Sequence, residues 1–251
     1  MRFDVLTLFP ELFAPHLALG VTRRAYRTAQ VDVRLWPLRD FAEDAYRRVD
    51  DRPFGGGPGM VMLAQPLLRA VAAIHQQRAD AAACPVVHFT PSGVPLNQRL
   101  VAEFAGGPGA VLVCARYEGV DQRFINACVT HEISLGDFVL SGGELPALAF
   151  LDAVTRLQEG VLTPASHQQE SFSDGLLEGP CYSRPEVLPL ADHTAAVPPL
   201  LMSGHHGQIA QWRRERSLEL TARRRPDLIV GARASGRLSP LDESFLSGLG
   251  L

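Results

Sequence analysis

At 251 residues against a typical domain of ~150, the chain accommodates one large or two modest domains and excludes a small disulfide scaffold. Its hydrophobic fraction of 46 %, charged fraction of 20 % and net charge of −3 supply a packed core and exclude a disordered polyelectrolyte. All 24 residues in the Lys+Arg total are arginine, which excludes Schiff-base lysines, Walker-type phosphate lysines and any other lysine-dependent chemistry. Cys84, Cys114, Cys128 and Cys181 lie 30, 14 and 53 positions apart. None forms the close pair used by zinc and redox motifs, so they read as reduced thiols. Met1-Arg2-Phe3-Asp4 meets charge too early for a secretory leader, and no apolar run approaches the ~20 residues of a membrane span. A cytosolic chain without membrane contact is expected.

In chain order, strands are predicted at Phe3 to Leu8, Val31 to Trp36, Pro85 to Phe89, Ala110 to Val113 and Val129 to Ser134, where short β-branched runs occur. Between them, apolar residues three and four apart predict helices over Pro66 to Gln77, Asn97 to Phe104 and Val120 to Ala127. Strands alternating with helices imply an α/β fold with a mainly parallel sheet covered on both faces, whose ligand crevice lies beyond the carboxyl ends of the strands. From Gln158 to Ser173 the periodicity fades into a linker, and beyond it no strand pattern returns. Helical stretches from about Gly207 to Arg224 and from Pro240 to Leu246 predict a small all-α C-terminal domain. The expected organisation is therefore 1–160, a linker at 161–173, and 174–251.

Asp50-Asp51-Arg52-Pro53-Phe54-Gly55-Gly56-Gly57-Pro58-Gly59-Met60 lacks the lysine of a P-loop and reads either as a flexible surface loop or as a binding loop with two carboxylates at its mouth. The apolar run Val111 to Cys114 ends in Ala115-Arg116-Tyr117-Glu118-Gly119, where Arg116 and Glu118 are either an ion pair tying the turn or part of a site. A third strand leads into Leu135 to Gly143 and a helix opened by Pro146, a loop of backbone polar groups and small apolar walls suited to a flat, uncharged moiety. Loops of this kind after three strands converge on one crevice. Farther on, Glu170-Ser171-Phe172-Ser173-Asp174 offers either solvated linker carboxylates or a general base. From Leu201 to Arg237, eight arginines against three acids surround Trp212, either a solvated helix face or a surface for phosphate contact and base stacking. His205-His206 has no cysteine or carboxylate at ligand spacing and is not read as a metal site.

The 50–60 segment, the Arg116-Tyr117-Glu118-Gly119 turn, Leu140-Ser141-Gly142-Gly143-Glu144-Leu145-Pro146 and Arg184-Pro185-Glu186-Val187-Leu188 resemble the bacterial tRNA (guanine-N1)-methyltransferases from Phe9-Pro10 to the Trp212-Arg213 region. The resemblance implies a SPOUT-type fold with a trefoil knot at the C-terminal end of the α/β domain, a helical tRNA-binding domain, and a homodimer with its active site at the subunit interface. It further implies methyl transfer from S-adenosylmethionine to N1 of the guanosine at tRNA position 37, in the anticodon stem-loop. Carried over by position, the cofactor pocket comprises Phe89, Thr90, Pro91, Ala115, Arg116, Tyr117, Glu118, Leu135, Gly136, Asp137, Phe138, Val139, Leu140, Gly142, Gly143 and Pro146.

The same resemblance assigns Glu170 as general base, in a place where the family carries aspartate, and Arg156 as the cation facing the guanine O6. Asp50, Arg184, Trp212, Arg213 and Arg214 become tRNA contacts, Asp50 acting from the partner subunit, and Glu118 shares in holding Mg2+. Ala115 replaces a family glycine and Phe138 a family tyrosine. Two further readings stand beside this one: a catalytically silent RNA-binding protein on the same scaffold, for which Glu170 is the argument, and ribose 2′-O-methylation, which needs no base before Ser171-Phe172.

Overall fold

The computed structural model describes residues 1–80, 84–163 and 170–250, so residues 164–169 of the expected linker lie outside the described residues. The chain divides into two compact units, Met1–Leu162 and Thr163–Leu251. The first opens with β1 (Arg2–Thr7), two short helices α1 (Ala14–Ala18) and α2 (Arg23–Arg27), and β2 (Asp32–Pro37). It continues with β3 (Asp50–Asp51), β4 (Val61–Met62), α3 (Ala64–Gln76), β5 (Val86–Pro95), α4 (Gln98–Ala105), β6 (Gly109–Val113), α5 (Gln122–Cys128), β7 (His131–Ser134) and α6 (Glu144–Thr155).

Five of these strands form one sheet in the order β2-β1-β6-β5-β7, with every neighbouring pair parallel. Because successive side chains on a strand take opposite faces, Phe3, Val5, Leu112, Val87 and Phe89 join Phe150, Leu151 and Val154 of α6 in one core. Leu6, Val111, Val113 and Val86 join Leu67, Val71 and Ile74 of α3 and Phe124 of α5 in the other. This two-sided burial is why β6 is apolar at every position. The rings of Phe3, Phe89 and Phe104 meet Phe150 edge-on at 6.1, 5.8 and 4.9 Å, a geometry favoured by the ring quadrupole.

Three details differ from the sequence expectation. β5 does not stop at Phe89: it runs to Pro95 with a shift in register on β7 between Phe89 and Val94, so Thr90 and Pro91 bulge out of a continuing strand. Helix α6 opens at Glu144, two residues before Pro146, which still lies in the first turn where a missing N–H is harmless. Asp121 is the N-cap of α5 rather than part of its first turn, its carboxylate accepting from the Arg123 N–H at 2.9 Å.

In the second unit, helices His206–Arg224, Pro226–Ala234 and Pro240–Gly248 enclose Leu176, Leu218, Ala222, Ile229, Ala232 and Leu246. The middle helix was missed because Pro226, which ends one helix, also occupies the first position of the next. Ser239 and Asp242 form a reciprocal capping box on the last. The expectation of an all-α domain needs correction, since β8 (Val187–Pro189) and β9 (Thr194–Ala196) pair antiparallel. Each strand is three residues long and exposed throughout, so no buried face imposes the apolar alternation by which a strand is read. Among the described residues no helix is long and apolar enough to cross a membrane.

At the amino ends of the strands, the fully buried Asp4 carboxylate accepts from Arg78 at 2.7 Å, Trp36 Nε1 at 2.8 Å and Arg2 at 2.7 Å. Burial works against the Arg78 charge, but Asp80 and Asp4 overcome it and hold the guanidinium above its usual range. Asp4→Ala leaves Arg78 to Asp80 and the Arg2 carbonyl and removes the acceptor of Trp36 Nε1, and an expected loss of about 1–3 kcal/mol is to be read from urea unfolding of the whole chain.

Candidate functional site

A cavity of about 230 Å3 opens beyond the carboxyl ends of β6 and β7 and beside the bulge within β5. Two of the three loops singled out in the sequence wall it, the loop after β7 and the turn after β6, which supplies Ala115, Arg116, Tyr117 and Glu118; no residue of the 50–60 segment lines it, and the bulge of β5 supplies Phe89, Thr90 and Pro91 in its place. The loop between β7 and α6 supplies Leu135, Gly136, Phe138, Val139, Leu140, Gly142 and Gly143, with Pro146 at the helix start. Asp137 lies in the same loop but does not line the cavity. His88, Gly119, Ile133, Ser134 and Ser141 line it as well and were not anticipated. Ser134 shares the β7 terminus already read as leading into the loop, and its hydroxyl takes the Gly136 N–H at 3.1 Å. His88 sits inside a strand, where nothing in the pattern sets it apart.

The loop after β7 is drawn hard against the turn after β6. The Gly143 N–H bonds the Ala115 carbonyl at 2.8 Å, and a Cβ added at Gly143 would stand 2.7 Å from Cys114 Cα. Only glycine permits that approach. Across the same contact, Arg116 Nε donates to Glu144 at 2.9 Å and its Nη1 to the Ser141 carbonyl at 3.1 Å, while Cζ lies 4.6 Å above the Phe9 ring. The Glu144 carboxylate is 1 % exposed and its other oxygen accepts from the Thr7 hydroxyl at 2.9 Å. Arg116 therefore pairs with Glu144, not with Glu118 as the tied-turn reading had it. An acid in the first turn of an otherwise apolar helix was the available signal.

The glycine-rich segment is anchored at both ends. Asp50 pairs with Met62 across β3 and β4, and Met60 and Met62 exchange backbone hydrogen bonds of 2.9–3.0 Å with Glu118, Gly119 and Asp121. Asp50 thereby comes to the turn after β6. Burial and the Asp50 carboxylate raise the Tyr117 phenol above its ordinary value, against an opposing pull from Arg39. Between the anchors, Gly55, Gly56, Gly57 and Gly59 all have φ between 78 and 123° and Phe54 is 99 % exposed. Among the described residues Glu118 belongs to no cluster of three potential metal ligands. Arg156 follows the last turn of α6, with its N–H on the Asp152 carbonyl at 3.0 Å.

The remaining predicted residues belong to the second unit. Glu170 precedes a tight turn in which its carbonyl accepts from the Ser173 N–H at 3.1 Å and the Ser171 hydroxyl accepts from the Glu178 N–H at 3.0 Å. Asp174 is engaged by the Arg214 guanidinium, which also makes two 3.0 Å bonds to Asp242. Arg214 is thus paired with carboxylates of its own unit. Arg216 and Arg223 share Glu219, Arg225 takes Asp227 and Arg233 takes Glu243. Trp212 packs against Tyr182 at 6.2 Å, and Arg213 and Arg184 are exposed.

The family model described as tRNA (Guanine-1)-methyltransferase TrmD matches residues 1–231. Curated relatives named tRNA (guanine-N(1)-)-methyltransferase include the protein of Leptothrix cholodnii, 68 % identical over 252 residues, and that of Methylibium petroleiphilum, 66 % identical over 258 residues, each alignment covering 100 % of both chains. That of Bordetella parapertussis is 55 % identical over 255 residues, covering 99 % of this chain and 98 % of its own.

His88 bears on the pH response of the site. It is 5 % exposed and among the described residues neither ring nitrogen has a hydrogen-bond partner; burial pushes its imidazole down to about 4. The unfolded chain takes up a proton near pH 6.5 while the fold resists it until about pH 4, so this stability is fully present above about pH 6.5 and drains away as pH falls toward 4. It amounts to roughly 3 kcal/mol. In urea titrations between pH 7.5 and 4.5, the wild type is expected to lose that much more stability than His88→Phe; parallel pH profiles would contradict the assignment.

Proposed function

The chain belongs to the tRNA (guanine-N1)-methyltransferase family, and from that premise we propose that it moves the methyl group of S-adenosylmethionine to N1 of the guanosine at tRNA position 37. The observation that carries the reading is the cavity beyond β6 and β7, walled on two sides by segments that carry the family resemblance, 116–119 and 140–146, in a chain whose residues 1–231 match the family model. The residues fit the cofactor. Glycine and small apolar walls from Gly136 to Gly143 suit a flat, uncharged base, and the turn carrying Arg116 and Glu118 brings charge to the same cavity. Bound there, S-adenosylmethionine supplies a methyl group made electrophilic by its sulfonium.

The chain's own work is orientation and proton handling. N1 of guanine carries a proton at neutral pH, and Glu170 removes it as methylation proceeds. Glutamate sets the same carboxylate one methylene farther from the backbone than the family aspartate. Arg156 holds the guanine O6, where negative charge gathers as N1 is deprotonated. Asp50, acting from the partner subunit, bonds the guanine edge. Arg184, Trp212, Arg213 and Arg214 contact tRNA, with arginine on phosphate and the indole available for stacking. No step is routed through Mg2+.

The wider reading includes a homodimer, a trefoil knot and work in the cytoplasm. The test is transfer of labelled methyl to an unmodified tRNA transcript with guanosine at position 37, against the same transcript with that base changed. Transfer to the first alone is expected; equal labelling of both, or label on ribose, overturns the reading. Glu170→Gln is expected to retain cofactor and tRNA binding while methyl transfer falls roughly a hundredfold or more. Near wild-type turnover would sink the base assignment.

A further inference from the structure

Glu170 is carried by a turn that closes on itself. The Ser173 N–H bonds the Glu170 carbonyl at 3.1 Å, the Gly175 N–H bonds the Phe172 carbonyl at 3.2 Å, and the Leu176 N–H bonds the Asp174 carboxylate at 3.1 Å. The Glu178 N–H reaches back to the Ser171 hydroxyl at 3.0 Å. The turn is thus braced internally, and its placement depends on what holds it from outside. Leu176, buried with Leu218 and Leu246, anchors it to the core of the second unit, and Leu177 bonds Thr221 and Ser217 of the helix His206–Arg224 at 2.9 and 2.6 Å. Those moorings lie at the end of the turn away from Glu170.

Nearer the base, two guanidinium groups take Asp174. Arg214 engages its carboxylate, and Arg237 Nη1 donates to its carbonyl at 2.9 Å. Arg237 is aimed by the way the helix Pro226–Ala234 ends. Gly236, at φ 66°, turns the chain back, so that its N–H bonds the Arg233 carbonyl at 3.1 Å and the Arg237 N–H bonds the Ala232 carbonyl at 2.9 Å. Arg237 Nε donates to the Ser235 hydroxyl at 2.8 Å. Backbone and side chain are both fixed before Nη1 reaches Asp174. The turn admits it closely, since a Cβ added at Gly175 would stand 2.0 Å from Nη1. Arg237 is exposed, the apolar core of the unit closes without it, and it lies beyond residues 1–231 that match the family model.

We infer that Arg237 is a positioning residue for methyl transfer: by holding the Asp174 carbonyl it fixes the 170–178 turn and, through it, the Glu170 carboxylate against N1 of the guanine. The inference rests on the reading of Glu170 as general base and adds what keeps that base in place. A base works only within hydrogen-bond reach of its proton, and misplacement by about 1 Å costs as much as a hundredfold in rate. Loss of this tether is therefore felt in the rate of transfer and not in binding.

The test is a double-mutant cycle of Arg237→Ala and Glu170→Gln in the full chain. It is read as the single-turnover rate of labelled methyl transfer at saturating tRNA and S-adenosylmethionine, with tRNA affinity measured alongside. Arg237→Ala alone is expected to slow transfer about tenfold while tRNA affinity is unchanged. In the Glu170→Gln background it is expected to cost nothing further, because the tether acts only through the base. Equal losses in both backgrounds would show a role independent of Glu170 and overturn the inference. Weakened tRNA binding at an unchanged rate would make Arg237 an RNA contact and overturn it as well.

Should Arg237→Ala not fold, Arg237→Gln takes its place, keeping part of the aliphatic stem with an amide too short to span to Asp174. Near wild-type transfer by Glu170→Gln itself would overturn the base reading and this inference with it. A slow Glu170→Gln beside an unimpaired Arg237 variant would overturn this inference alone.

Discussion

The carboxylate of Glu144 is buried in the first turn of α6, and both of its oxygens are answered, one by the Thr7 hydroxyl and one by Arg116 Nε. Taking a carboxylate out of water costs several kcal/mol, recovered only when geometry and hydrogen bonding are both good. Satisfying Glu144 therefore forces the end of β1, the turn after β6 and the start of α6 to meet at one point. The neighbouring glycines follow from the same constraint. A Cβ at Gly142 would overlap the Arg116 side chain, and one at Gly143 would overlap the backbone of Cys114 and Ala115. The cavity wall exists because these three segments converge there.

The absence of lysine gives this junction its form. Arg116 meets Glu144, Ser141 and the Phe9 ring simultaneously. Those contacts use separate edges and a face of a rigid planar group, which an ammonium on a flexible stem does not have. The same economy governs the other buried cation, Arg78, which serves Asp4, Asp80 and the Arg2 carbonyl together. The amino-end network steadies the sheet on the side away from the cavity, and the Glu144 network organises the side that carries it.

In the second unit, charge counted along the chain and charge arranged in space diverge. From Leu201 to Arg237 the sequence holds eight arginines and three acids, but Asp174, Asp242 and Glu243, all outside that window, fold onto Arg214 and Arg233. Much of the apparent basic excess is thus spent on holding helices to one another and to the 170–178 turn. Arg213 and Arg184 stay exposed beside the Tyr182-Trp212 pair. A surface for an anion is defined by the cations left over after such pairing, and that remainder has no signature in composition.

By itself, the sequence determined the parallel α/β architecture, the near extents of its five main strands, and the two loops that follow β6 and β7. Those features follow from hydrophobic periodicity and from glycine and proline, which act over a few residues. Motif resemblance extended this to the family. The tertiary structure alone decided the partner of Arg116, the continuation of β5 through its bulge, the unpartnered burial of His88, and the commitment of Arg214 to two acids. Two of these join residues well separated in the chain: Arg116 to Glu144 spans 28 positions and Arg214 to Asp174 spans 40. Local pattern encodes which face a residue buries, whereas the group that meets it across the core depends on how the whole chain packs.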